Sequence, residues 1–111
     1  MSVEIFAVNA VSDRIAACSR LSPEIPTGDR TPITDGHIDF YRSDQKNNKT
    51  HDGRVPVQVK GRVTNAKVKT SRTTQSFQVE REVLQFFRNH GGGIYFYVSM
   101  REGGQEREVF Y

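Results

Sequence analysis

The alternation Val55-Pro56-Val57-Gln58-Val59-Lys60 constrains this chain more than any other stretch. In a strand of period two it sends Val55, Val57 and Val59 to one face and Pro56, Gln58 and Lys60 to the other. One strand therefore carries both a face for the core and a polar face open to chemistry. Upstream, Asp35-Gly36-His37-Ile38-Asp39-Phe40-Tyr41 predicts a second strand, and pairing of the two would set its acids beside Gln58 and Lys60. An acid, an amide and a lysine on one wet edge point to metal-assisted phosphodiester chemistry.

The order of elements follows from local patterns. Residues 3–19 predict a helix, with Val8, Val11, Ile15 and Cys18 recurring three and four residues apart. Pro23 and Pro26 end it, and residues 22–34 read as a surface loop. Ile38 and Phe40 alternate with Asp39 and Tyr41, so residues 38–42 and 54–61 form the arms of a hairpin. Its connection, residues 43–53, is polar and expected to be mobile. Gly61 then permits a bend before a further strand over residues 62–69, with Val63 and Val68 inward and a bulge between them.

Residues 77–89 predict a second helix, capped by Ser76, with Val79, Val83, Phe86 and Phe87 on its apolar stripe. Gly91-Gly92-Gly93 ends it. These glycines follow a helix rather than precede one, so they do not form a nucleotide-binding loop. Ile94-Tyr95-Phe96-Tyr97-Val98 reads as a central strand covered on both faces, and residues 105–111 as an edge strand. The order helix, three strands, helix, two strands predicts an α/β or α+β fold, with the second helix crossing over the sheet.

A chain of 111 residues fits one domain, residues 1–111, and a hydrophobic fraction of 35% predicts a small core. The apolar end, Val109-Phe110-Tyr111, predicts that the sheet is cut there and that the chain belongs to a longer protein. The net charge of +3 hides an uneven distribution. Between Gln45 and Gln75 stand Lys46, Lys49, Arg54, Lys60, Arg62, Lys67, Lys69 and Arg72 against one acid, Asp52. That excess attracts a polyanion, of which nucleic acid is the commonest, unless it is only a solvated face.

The single cysteine, Cys18, excludes an internal disulfide framework and a cysteine-rich zinc site, and its helical position predicts burial. Met1-Ser2-Val3-Glu4 does not open like a signal peptide, and no apolar run approaches the ~20 residues that span a bilayer. A cytoplasmic location without a membrane partner is the expectation. His51 falls in the polar loop, and His90 at a helix end favours the helix C-terminus. Without clustered histidines or cysteines a structural zinc site has no support, and no serine has a base partner for covalent hydrolysis.

Hydrolysis of a phosphodiester needs charge neutralised on the phosphate and a water made nucleophilic, which a divalent ion held by carboxylate and amide oxygens supplies. Asp35 and Gln58 are the candidate ligands, with Asp39 either a further ligand or an outward-facing residue. Lys60 is the candidate for steadying the developing charge. His37, near Asp35, is a candidate substrate contact. On the bare residues the bland alternatives stand beside this: Lys60 as a guard on a sheet edge, Gln58 as a solvated neighbour, Asp35-Gly36 as a turn.

Asp35-Gly36-His37-Ile38 followed by Val57-Gln58-Val59-Lys60 resembles the Mrr-like branch of the PD-(D/E)XK nuclease superfamily. That branch has an acid in an Asp-Gly context and a glutamine in place of the second acid. The fuller string Pro32-Ile33-Thr34-Asp35-Gly36-His37-Ile38-Asp39, then Val57-Gln58-Val59-Lys60-Gly61, is similar to a bacterial domain family of unassigned function within it. The resemblance implies a restriction-endonuclease-like core, Asp35 and Gln58 on Mg²⁺ or Mn²⁺, and Lys60 as the catalytic lysine. An acid on the first helix commonly joins them, here Asp13 or, less well placed, Glu4.

The leading expectation is therefore an endonuclease-like domain acting on DNA, with Arg54, Arg62, Lys67, Lys69 and Arg72 on the phosphates. The alternative is a non-catalytic nucleic-acid-binding or assembly domain that keeps the nuclease fold. A third is a structural domain that pairs as a homodimer through residues 105–111.

Overall fold

The computed structural model describes residues 3–26, 36–64 and 78–111. The first helix, α1 (Val3–Ala16), precedes three strands, β1 (Leu21–Glu24), β2 (Gly36–Tyr41) and β3 (His51–Val63). A second helix, α2 (Arg81–Asn89), leads to β4 (Ile94–Arg101), a single 3₁₀ turn (Glu102–Gly104) and β5 (Gln105–Phe110). The strands form one mixed sheet in the order β1-β2-β3-β4-β5. Only β3 and β4 run parallel, and α2 lies between them in the chain, which such a connection requires. Among the described residues no helix is long and apolar enough to cross a membrane.

From Val55 onward the odd-numbered residues of β3 face the core. Val57 and Val59 are buried with Ile38 of β2 and Phe96, Val98 and Met100 of β4, under Ala7, Val8 and Val11 of α1. Burying such side chains contributes about 1.5–3 kcal/mol each. β3 runs through Gly61 to Val63 without the expected bend, so residues 62–63 belong to it; the rest of the separate strand expected over residues 62–69, with its bulge before Val68, lies outside the described residues. Gly61 serves a different end. A Cβ there would lie 2.8 Å from the Ala7 Cβ and 3.1 Å from the Val3 carbonyl oxygen, so its absence lets α1 settle on the strand. Val63, expected to point inward, is 37% exposed because it lies beyond that cover.

Three other expectations change. α1 ends at Ala16 in a tight turn, with Cys18 N–H donating to the Ile15 carbonyl at 3.0 Å, so Cys18 leaves the helical stripe and is exposed. Part of the stretch read as loop is β1, with Leu21 opposite Phe40 and Pro23 opposite Ile38. Pro23 fits because β1 is an edge strand, where a missing N–H is tolerated. The β2–β3 connection, residues 42–50, is tied down rather than slack. Asn47 Oδ1 accepts from the Lys49 and Thr50 amides, and Lys46 Nζ donates to the Leu21 carbonyl at 2.7 Å.

α2 begins four residues later than expected, at Arg81, with Glu80 before it and no side-chain cap. The proposed cap, Ser76, lies outside the described residues. Val83 and Phe87 are buried, outside the cluster that α1 covers. The C-terminus follows the sequence closely. Gly91 and Gly92 take φ of 81° and 121°, and Gly92 N–H donates to the Phe87 carbonyl at 2.7 Å. His90 Nδ1 lies 2.8 Å from the Phe86 carbonyl oxygen, and its ring stacks on Phe86. Both β4, buried at Phe96, Tyr97 and Val98, and the edge strand β5 lie where expected.

If α1 is seated through Gly61, Gly61→Val should destabilise the fold by about 1–3 kcal/mol through overpacking. Gly91→Ala, in open space at positive φ, should cost only about 1 kcal/mol. Urea unfolding of both variants reads the difference, and an unchanged midpoint for Gly61→Val would contradict this docking.

Candidate functional site

With the odd-numbered residues of β3 under α1, the even-numbered ones form a row on the opposite face: Arg54, Pro56, Gln58, Lys60, Arg62. Parallel pairing sets Gln58 beside Tyr95, Lys60 beside Tyr97 and Arg62 beside Ser99. Lys60 and Arg62 are exposed. Gln58 is half-buried, and its Oε1 is closed off from solvent without a hydrogen-bond partner. Buried side-chain oxygens rarely stay unpaired, because the lost hydration costs about 1–3 kcal/mol. An unpaired amide oxygen beside an exposed lysine is an acceptor suited to a cation or a ligand donor.

The pairing of Gly36 with Val57 brings the start of β2 level with the residue before Gln58. Asp35 itself lies outside the described residues, as do Lys67, Lys69 and Arg72. Asp13 is exposed on α1, and α1 packs over the valine face rather than the face of Gln58 and Lys60. Glu4 stands on the same helix. Among the described residues no group of three or more His, Cys, Asp or Glu side chains is arranged to hold a metal ion.

Asp39 does not offer a free carboxylate to a metal. It is 7% exposed, and its Oδ1 accepts from Arg54 Nε at 2.9 Å and lies 2.9 Å from His51 Nε2. Its Oδ2 is 3.4 Å from His37 Nε2. Register explains the cluster, since Asp39 faces Arg54 directly across the β2–β3 pair. His51, expected in the loop, instead opens β3 after a bulge at Phe40/Tyr41, and its ring meets Tyr41 edge-on. His37, expected near a substrate, is drawn toward Asp39.

Burial alone would raise the Asp39 pKa, but hydrogen bonds from Arg54 and His51 and the charges of Arg54 and His37 outweigh it and hold the carboxyl below its ordinary 3.8. The same hydrogen bond and charge raise Arg54 above its ordinary value. Arg54 is therefore an ion-pair partner first, although its side chain stays 60% exposed toward any phosphate.

The sequence missed this cluster, yet it carried the signal: an acid and an arginine fall opposite each other once the hairpin register is fixed. It also missed a contact where β4 turns into β5. Arg101 Nε lies 2.9 Å from Glu106 Oε2, and Glu106 is the one non-glycine residue at positive φ, 50°, among those described.

The depressed Asp39 pKa fixes the sign of its linkage: its stabilisation is fully present above the ordinary 3.8 and is lost as pH falls through the lower folded-state value. Asp39→Asn should therefore cost about 1–3 kcal/mol at neutral pH by weakening a buried, charge-assisted contact. The variant's stability should also fall less than the wild type's between about pH 5 and pH 2. Urea titrations across that range measure both effects, and parallel acid limbs would remove Asp39 from this role.

Comparison of the chain with protein families, with curated proteins and with solved structures found no match.

Proposed function

We propose that this domain is a metal-dependent endonuclease that hydrolyses DNA phosphodiester bonds on the face bearing Gln58 and Lys60. The observation that carries the reading is the Gln58 Oε1, sealed from solvent and unpaired, two residues from an exposed lysine on the same side of β3. The start of β2 opposite Val57 supports placing Asp35 with them, since Asp35 is bonded to Gly36. The element order α-β-β-β-α-β-β also agrees with the core implied by the Mrr-like resemblance.

An unpaired amide oxygen fits a hard divalent cation, which takes oxygen ligands. In this reading Asp35 and Gln58 would hold Mg²⁺ or Mn²⁺, which would supply charge neutralisation and activation of water. The chain's own residues do the rest. Lys60 sets its ammonium against the charge that gathers on the phosphate. Arg62, one pleat further along the same face, holds a neighbouring phosphate, and Lys67, Lys69 and Arg72 extend that contact by sequence.

A second reading is favoured by the position of α1. The helix covers the other face, so Asp13 does not add a carboxylate beside Gln58 and Lys60. A domain with too few acids would bind nucleic acid through Lys60 and Arg62 without cutting it, with strong salt dependence and no need of metal.

Asp35→Ala and Lys60→Ala are expected to keep the wild-type circular dichroism spectrum and to lose about 10²- to 10³-fold in plasmid cleavage with Mg²⁺, the scale of one positioned group. Gln58→Glu should bind Mg²⁺ more tightly, because a carboxylate replaces an amide. Equal cleavage by wild type, Asp35→Ala and Lys60→Ala would remove this site from the reaction. Metal-independent binding without cleavage would establish the second reading.

A further inference from the structure

At the carboxyl ends of the parallel strands β3 and β4 lies an open cavity of about 280 Å³, lined by Thr64, Arg101, Glu102 and Gln105. In open sheets with parallel strands, ligands collect at this end. Continuing the register past Val63 and Met100 sets Thr64 level with Arg101, on the face that also carries Lys60 and Arg62. Each two-residue step along β3 covers roughly 7 Å, so cations recur along one line toward the cavity.

Arg101 is bound in an unusual way. Its Nε is closed off from solvent and makes no aligned hydrogen bond, although Glu106 Oε2 is 2.9 Å away. Glu106 reaches that point from a bulge, where the β4–β5 register shifts between Ser99 and Arg101, and from a backbone φ of 50° that non-glycine residues rarely adopt. Its side chain remains 63% exposed to solvent. A guanidinium donor without an aligned acceptor, faced by an exposed carboxylate from a residue at positive φ, describes an anion site filled by the chain itself.

We propose that this cavity is a phosphate-binding subsite in which the Glu106 carboxylate occupies Arg101 until a phosphate displaces it. Arg101 is the main donor, its guanidinium fork matching two phosphate oxygens, and the exposed Gln105 amide is the second. The volume accommodates a phosphate group with several waters, at ~30 Å³ of liquid volume per water. The inference rests on the nucleic-acid reading of this face for its choice of ligand: a phosphate of the strand that crosses Lys60 and Arg62. Glu102 also lines the cavity and weakens it for any anion, but it makes no contact with Arg101 Nε comparable to that of Glu106.

The test uses the full chain in chelator, with binding of a short labelled duplex read by fluorescence anisotropy against salt concentration. Glu106→Gln is expected to tighten binding about two- to fivefold, the scale of an exposed ion pair. Glu102→Gln, which removes the same charge from the rim, should gain less. Arg101→Gln should lower the salt slope by about 1. In the Arg101→Gln, Glu106→Gln double variant the gain from Glu106→Gln should vanish. Equal gains from both glutamate variants, or a gain that persists without Arg101, overturn the proposal.

Arg101→Lys keeps the charge while removing the fork, and guards against a folding defect in Arg101→Gln; it should recover the salt slope but not the full affinity. A parallel titration with inorganic phosphate identifies the source of the ligand. Tightening by Glu106→Gln for free phosphate alone, lost with Arg101→Gln, would overturn the strand phosphate while keeping a small-anion site. Failure of the nuclease reading appears separately, as absent Mg²⁺-dependent cleavage with the coupling of Glu106 to Arg101 intact.

Discussion

The pleat of β3 organises the molecule. It pairs antiparallel with β2 on one side and parallel with β4 on the other, so every cross-strand relationship in the middle of the sheet is measured from it. Beyond the bulge at Asp52 its side chains alternate from Gly53 to Val63. Once Val57 and Val59 are fixed under α1, Gln58 and Lys60 have no choice of face, because a slip of one residue would expose both valines and bury the lysine. Gly61 secures the arrangement by removing the Cβ that would hold α1 away. The polar row is thus positioned by the packing on the opposite side of the sheet.

Electrostatics on the open face divide into a closed group and an available one. Asp39 is buried, and without partners the loss of hydration would drive its carboxyl toward the neutral form. Arg54, His51 and His37 reverse that tendency and knit β2 to β3 at the hairpin end. The same contacts occupy the Asp39 carboxylate and bring much of Arg54's charge into balance. Beyond that group Lys60 and Arg62 are the exposed cations of β3, so the positive field of this face lies toward the carboxyl ends of the parallel strands rather than toward the hairpin.

Much of this was legible in the sequence because it depends on short-range patterns. The valine alternation gave β3 its faces, and the glycines after Asn89 ended α2. The run from Ile94 to Val98 marked a strand covered on both sides. The order of helices and strands agrees as well, though through differences: β1 falls where a loop is expected, and residues 62–63, expected to open a separate strand, end β3, the rest of that strand lying outside the described residues. Pro23 concealed β1, since proline is compatible with an edge strand but carries no sign of which edge. Gly61 was read as a local bend, whereas it answers to a helix more than forty residues earlier in the chain. The role of Asp39 was hidden for the same reason, because whether it faces a metal or Arg54 is decided by register across the hairpin.

Two side-chain polar atoms stand out among the described residues because they are closed off from solvent without an aligned partner: an acceptor, Gln58 Oε1, and a donor, Arg101 Nε. Native structures rarely leave such groups unpaired, and those that persist call for a ligand or a functional constraint. Both belong to even positions of β3 or their level partners on β4, so both open to the same side of the sheet, with Lys60 and Arg62 between them in the register. Their polarities are complementary to the two halves of one ligand type. An oxygen without a donor suits a cation, a guanidinium without an acceptor suits an anion, and a polyphosphate strand that carries its own divalent ions presents both. The Glu106 carboxylate already stands 2.9 Å from the closed-off Arg101 Nε and supplies the second half from within the chain. This face thus carries an unmet acceptor and an unmet donor at the two ends of a cationic row, and under the proposed function a strand of phosphates would meet both.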